Sequence, residues 1–300
     1  MQRPGVPATL ARASSRSGHE ITKEDSVVKI IGEPPSHEGA PAFGFLADTV
    51  PDHAYPLGLV GFLFASPWVS TGATVRHVAT ILVSATGRCF DVESDGRHLT
   101  TPAALVPPSV RRRLRAFDVA LISCNVAPHH PCYPWLRSLM PAGVVPLDRA
   151  GFGFLQHEML LAYHGALSAA RARALFEDLV AEAVSQSGMG WRTDTRPAAV
   201  LDVLAAHPDA APAELARWLG VPSARVGRLV YEGIGVPFPL YRAGRRLAVA
   251  AEAIFAGARM TDAALTAGFA DSAHLSRTWK RKFGMPPSYM TQRRWVQVVR

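Results

Sequence analysis

The spacing of apolar residues changes twice along the chain. From Ala40 to about Asp148 they come in short β-branched runs, of which Val75–Ser84 (VRHVATILVS) and Val119–Val126 are the clearest. Runs of that composition, bounded by turn residues, predict strands. Ala85-Thr86-Gly87-Arg88 and Ser94-Asp95-Gly96-Arg97 supply turns, the second with an Asp-Gly pair, and Pro107-Pro108 marks an edge or a loop. After Asp148 the spacing lengthens to three and four: Phe154, Leu155, Leu160, Leu161, Leu167, Ala174, Leu175, Leu179 and Val180. This predicts two helices with a break near Gly165–Ser168, where Ser168 can cap the second. Ser185–Arg196 (SQSGMGWRTDTR) is polar and reads as a linker, and the remainder is helical with short breaks. Residues 1–39 are rich in Ser, Gly, Pro and charge without a sustained period, which predicts a disordered arm. The expected class is α+β: a strand-rich unit with following helices at 40–184, a linker at 185–196, and an all-α unit at 197–300.

Within the last unit a helix–turn–helix pattern occurs twice. Ala213–Leu219 places Leu215, Ala216 and Leu219 on one face, and Gly220 suits a left-handed turn. Ser223 stands where it can cap the following helix, whose Val226, Leu229 and Val230 face inward. Ala224, Arg225, Gly227 and Arg228 therefore face outward. Thr261–Ala267, Gly268 and Phe269 repeat the first half. Asp271 is a cap candidate for the second helix, with Leu275, Trp279 and Phe283 inward and Ala273, His274, Ser276, Arg277 and Lys280 outward. Tyr241–Ala256 reads as one helix joining the two patterns.

Charge points to a partner for this unit. The chain of 300 residues carries a net +8; residues 197–300 hold 14 basic against 7 acidic residues, whereas 1–196 holds 18 against 17. A polyanion is the natural counterpart, because neutralising phosphates releases counterions. The most apolar stretch, Pro56–Val69, is too short to span a bilayer and is broken by Pro67, and the N-terminus is polar with Arg3, Arg12 and Arg16. Three cysteines are too few for a disulfide scaffold. A cytoplasmic protein is expected, with no membrane partner.

Arg228-Leu229, Gly235-Val236-Pro237-Phe238, Tyr241, Arg246-Leu247 and Ala250 resemble the first half of the AraC/XylS DNA-binding domain. Ala267-Gly268-Phe269, Ser276-Arg277, Lys280-Arg281 and Phe283-Gly284-Met285-Pro286-Pro287 resemble its C-terminal signature. The resemblance spans about Val200–Met290. It implies two recognition helices in successive major-groove segments of one duplex, about 34 Å apart. It also implies a transcription regulator, commonly an activator working with RNA polymerase, often homodimeric and responsive to a small effector. Carried over by position, Ala224, Arg225, Gly227, Arg228, Ala273, His274 and Arg277 face bases, and Ser223, Ser276, Lys280 and Arg281 face phosphate. Arg228 and Arg277 are the preferred readers, since a guanidinium fork meets guanine O6 and N7 together. Ala224 and Gly227 are small, so the first helix is expected to read less sequence than the second. Ala263 replaces a larger aliphatic of the family, and Val230, Leu275 and Trp279 replace phenylalanines.

The resemblance further implies a cupin-like β-barrel at the N-terminal side. Ala103–Arg112 is similar to the cupin segment that presents a Pro-Gly turn and a histidine, with Ser109 at the glycine and Arg112 at the histidine. The other cupin metal histidines are not evident, so neither a metal nor another cofactor is expected. Arg111, Arg112, Arg113 and Arg115 read as a solvated strand edge or, through Arg112, as an anionic effector site. Cys124, His129, His130 and Cys132 carry soft-metal donors but match no familiar spacing. They define an alternative, a metal- or redox-sensing regulator. A cupin enzyme with a DNA-binding appendage is the rival from another class. It needs a convergent triad that the sequence does not offer, and a non-enzyme is expected.

Overall fold

The computed structural model describes residues 51–186, 198–207, 210–283, 286–291 and 296–299. The expected arm at 1–39 and most of the expected linker lie outside the described residues. Along the chain come β1 (Asp52–Pro56), β2 (Gly61–Ser70), β3 (Thr74–Val75), β4 (Ala79–Ser84), β5 (Phe90–Ser94), β6 (Arg97–Thr101), β7 (Ala103–Val106) and β8 (Arg111–Val126). Then follow α1 (Tyr133–Ser138), β9 (Val145–Pro146), α2 (Gln156–Tyr163) and α3 (Ala169–Gln186). The C-terminal part holds α4 (Ala198–Ala206), α5 (Pro212–Leu219), α6 (Ser223–Ile234), α7 (Phe238–Phe255), α8 (Met260–Thr266), α9 (Ser272–Phe283), α10 (Pro287–Thr291) and β10 (Val296–Val298).

The strands form a sheet in the order β10-β1-β2-β8-β4-β7-β9, with β3 and β5 on the N-terminal half of β8 and β6 beyond β5. Every pairing is antiparallel except β1 with β10. The 16 residues of β8 serve both halves because the strand bends at its centre. Asp118 and Ala120 have positive φ there, and the register with β2 jumps between Ser66 and Trp68, opposite Pro67. Proline donates no ladder hydrogen bond, so the bulge sits where the sequence broke the apolar run. The Asp-Gly turn joins β5 to β6 with both central residues at positive φ, the backbone a two-residue hairpin demands.

The bend sends alternate residues into two cores. Leu82, Val92, Ala104, Val106, Leu114 and Leu121 fill the inside of the curl. Ile81, Val83, Leu105, Ile122 and Cys124 point the other way, onto Phe152, Met159, Leu175, Phe176 and Leu179 of the following helical segment. That double burial explains why β4 and the end of β8 read as continuous apolar runs. Ser168 accepts from the Arg171 amide at 3.4 Å, opening α3 after the break expected at 165–168. The expected strand Val75–Ser84 is interrupted: Arg76, His77 and Val78 leave the ladder between β3 and β4. Their backbone is held elsewhere, by the Ser109 amide on the Arg76 carbonyl and the Tyr133 hydroxyl on the His77 carbonyl. Ser109, expected where the resemblance has a glycine, has φ +65°.

The C-terminal helices enclose two cores that share α7. Phe238 and Tyr241 join Leu204, Leu215, Val226 and Val230, whereas Leu247, Ala250 and Ile254 join Ala263, Phe269, Leu275 and Trp279. One helix thus carries both helix–turn–helix units, and each large side chain it buries contributes about 1.5–3 kcal/mol. The pattern did not predict β10. It joins the sheet beside β1, with Val296 packed on Ala54 and Tyr289. Among the described residues no helix is long and apolar enough to cross a membrane.

Candidate nucleic-acid interface

The first unit is built by α5, a glycine turn and α6. Pro212 opens α5, and the Glu214 carboxylate accepts from the Ala211 amide at 2.8 Å. Gly220 closes it at φ +65°, a conformation that costs other residues about 1–2 kcal/mol. Helix α6 begins at Ser223 itself, after Pro222, and the serine hydroxyl makes no capping bond. The expected cap is therefore corrected: proline fixes the entry, and Ser223 lies exposed. Val226 and Val230 are buried, while Ala224, Arg225, Gly227 and Arg228 are exposed on the opposite face. Arg228 Nε donates to Glu232 Oε1 at 2.7 Å, one turn further on.

The second unit repeats the construction. Gly268 at φ +74° ends α8, and the Phe269 amide reaches back to the Ala264 carbonyl at 2.9 Å. Asp271 Oδ1 accepts from the His274 amide at 2.6 Å and caps α9. Leu275 and Trp279 are buried, and Ala273, His274, Arg277, Lys280 and Arg281 are exposed, with Ser276 partly so. The His274 ring meets the Phe269 ring edge-on, centroids 5.3 Å apart. Arg277 makes no ion pair among the described residues, so its fork is available where that of Arg228 is engaged.

On the N-terminal side the arginines alternate. Arg111, Arg113 and Arg115 are exposed, and Arg112 is 3% exposed. The expected strand edge is corrected, because β8 runs through the middle of the sheet. Arg112 Nη2 donates to Thr80 Oγ1 at 3.0 Å, and its buried Nη1 has no partner among the described residues. The four soft-donor residues do not converge. Cys124 lies against the Phe176 carbonyl, His129 bonds the Tyr241 hydroxyl at 2.7 Å, and His130 bonds Glu177 at 3.0 Å. Among the described residues no group of three or more His, Cys, Asp or Glu is placed to hold a metal.

Sequence reasoning missed a cavity of about 260 Å³ between the sheet and helices α7 and α9. Its wall is largely apolar, with Phe62 and Phe64 from β2, Leu240 and Phe255 from α7, and Trp279 and Phe283 from α9. Arg76, His77, Arg245 and Lys282 also line it. Arg76 and His77 lay inside an expected strand and Lys282 on a helix read for DNA, so no local signal pointed to a shared site.

Residues 215–293 match the family model described as "Helix-turn-helix domain". No protein in the curated set matches the chain. Among solved structures, ToxT from Vibrio cholerae O395 is 11% identical, with 80% of this chain and 94% of that one covered and a TM-score of 0.46. Unsaturated fatty acid bound ToxT from Vibrio cholerae strain SCE256 is 12% identical, with 80% and 92% covered and a TM-score of 0.46. The AraC-like transcriptional activator CuxR is 17% identical, with 70% and 82% covered and a TM-score of 0.36.

Proposed function

Because residues 215–293 are a helix-turn-helix domain of the AraC/XylS kind, we propose that this chain is a sequence-specific DNA-binding transcription regulator that responds to an effector through its N-terminal domain. The observation that carries the reading is the pair of helices α6 and α9, fixed to one rod, α7, with their basic faces open to solvent. A duplex offers such a pair two successive major-groove segments on one side. Arg228 and Arg277 serve as base readers, helped by Arg225 and His274. Ala224, Gly227 and Ala273 let the backbone approach the bases. Ser223, Ser276, Lys280 and Arg281 serve as phosphate contacts. The regulator acts as an activator, as a homodimer, at a promoter shared with RNA polymerase.

Selection from random duplexes with the full chain tests the reading. A recovered consensus with two half-sites about one helical turn apart supports it, and recovery of unrelated sequences refutes it. The log–log slope of affinity against salt should fall by about one on Arg281→Ala, with sequence preference unchanged.

A further inference from the structure

The two DNA-facing helices end differently. The last turn of a helix leaves carbonyls without partners inside it, and the dipole there favours a positive charge. Helix α9 supplies that charge itself, with Lys280, Arg281 and Lys282 in its last turn. Helix α6 has no basic residue in its last turn and carries Glu232 there, of the unfavourable sign.

The missing cation comes from α1. Arg137, in the last turn of α1, donates from Nη1 to the Tyr231 carbonyl at 3.5 Å. Its guanidinium carbon stands 5.6 Å from the centre of the Tyr231 ring. The same carbonyl accepts from the Gly235 amide at 2.7 Å. Gly235 ends α6 at φ +68°, and a Cβ there would overlap the Cδ and Nε of Arg137. The glycine therefore serves twice: it takes the left-handed turn, and it leaves room for the arginine to lie across the helix end.

Tyr133 lies one turn before Arg137 on the same face of α1. Its ring is buried in the core of the first helix–turn–helix unit with Val226, Val230 and Ile234 of α6. Its hydroxyl donates to the His77 carbonyl at 2.6 Å. Leu136, with Cys132 just before the helix, belongs instead to the core formed by the sheet and α3. A helix of six residues is thus rooted in the N-terminal core on one side and grips α6 on the other. Reading bases requires side chains held to within about 0.5 Å. A recognition helix with a loose last turn lacks that precision and must be ordered by the DNA at a cost. Tyr231 lies about one turn beyond Arg228, so a loose end reaches the candidate base reader.

We propose that Arg137 is a positioning residue for the first DNA-facing helix. With Tyr133 it ties the last turn of α6 to the N-terminal domain, and so governs base discrimination at the half-site that α6 reads, without touching DNA. The half-site part rests on the regulator reading above; the tie itself does not. Because α1 is rooted in the N-terminal core, that domain is coupled to the first half-site through α1.

Two measurements on the full chain test this. Hydrogen exchange without DNA reads the tie. In Arg137→Met the amides of Gly233, Ile234 and Gly235 should exchange about two- to fivefold faster, with those of α9 unchanged. Fluorescence anisotropy reads the consequence, on the duplex recovered by selection and on two versions with one half-site scrambled. Arg228→Ala identifies the half-site of α6, as the one whose scrambling then costs less. Arg137→Met should lower the cost of scrambling that half-site by about two- to fivefold and leave the cost at the other unchanged. Arg137→Lys keeps a cation at the helix end and should restore most of both effects. Cooperative melting shows that the variants fold; if Arg137→Met does not, Arg137→Gln takes its place with the same expectations. Unchanged exchange in α6, equal loss at both half-sites, or no rescue by lysine overturns the proposal. A uniform loss on all three duplexes, with a salt slope lower by about one, makes Arg137 a phosphate contact and overturns it too. Faster exchange in α6 without any selected consensus refutes the regulator reading and the half-site claim with it. A recovered consensus with unchanged discrimination refutes the positioning role alone.

Discussion

At the scale of single residues, the two candidate base readers differ in what they must give up. Arg228 is tied to Glu232 and has to leave that carboxylate to reach a base, whereas Arg277 makes no ion pair among the described residues. Arg277→Ala should weaken binding to the selected site by about 1–3 kcal/mol and relax choice at one base pair; equal loss on all duplexes would make it a phosphate contact. Glu232→Gln should tighten DNA binding, measured by fluorescence anisotropy, because it frees Arg228 and removes a negative charge from the interface. Asp52 is a different case. Burial pushes its carboxyl up to about 7, against hydrogen bonds from Ser66 and the Tyr289 hydroxyl that lower it. Between about pH 4 and pH 7 the folded chain thus holds a proton that the unfolded chain releases, and stability from this group falls as the pH rises through that window. His77 and His129, both lowered to about 4 by burial, work in the opposite direction between about 4 and 6.5. Asp52→Asn isolates the first effect. Urea melts should show the variant gaining on the parent between pH 4 and pH 8, by up to about 4 kcal/mol, and a difference independent of pH would contradict the assignment.

At the scale of elements, local signals in the sequence worked where one residue satisfies a backbone demand. Gly220, Gly268 and Asp271 stand at the turns and the cap expected of them, and the Asp-Gly pair makes its hairpin. Asp271→Ala should cost about 1 kcal/mol in thermal or chemical denaturation, since the first-turn amide of α9 loses its acceptor. Ser223 was misread as a cap because the preceding proline already sets the entry angle of α6. The strand expected across Val75–Ser84 fails at Arg76–Val78, where hydrogen bonds from Ser109 and Tyr133 outcompete ladder pairing. Those partners lie 32 residues or more away in sequence, beyond any local periodicity.

At the scale of the molecule, the helical part is fastened to the sheet by scattered bonds. His129 meets Tyr241, Tyr133 enters the core of the first unit while bonding His77, Tyr289 bonds Asp52 at 2.7 Å, and β10 adds to β1. These contacts tie the sheet to the helical part, as the proposed regulation through the N-terminal domain requires. A chain ending at Thr291 loses β10 and the buried Val296. Its melting temperature should fall by several degrees, given about 1.5–3 kcal/mol for one large buried side chain. Proteolysis near β1 should accelerate. An unchanged melting curve would show that the strand contributes nothing.

The order of apolar positions and the turn residues determined by themselves the strand-rich half, the helical half and the two helix–turn–helix units. Each of these depends on periodicities and caps that operate within a few residues. Only the tertiary structure decided the bend of β8, the docking of β10 and the gathering of Arg76, Arg245 and Lys282 around one largely apolar cavity. Those residues come from distant segments, and the cost of burying their charges together exists only once the chain has closed around them.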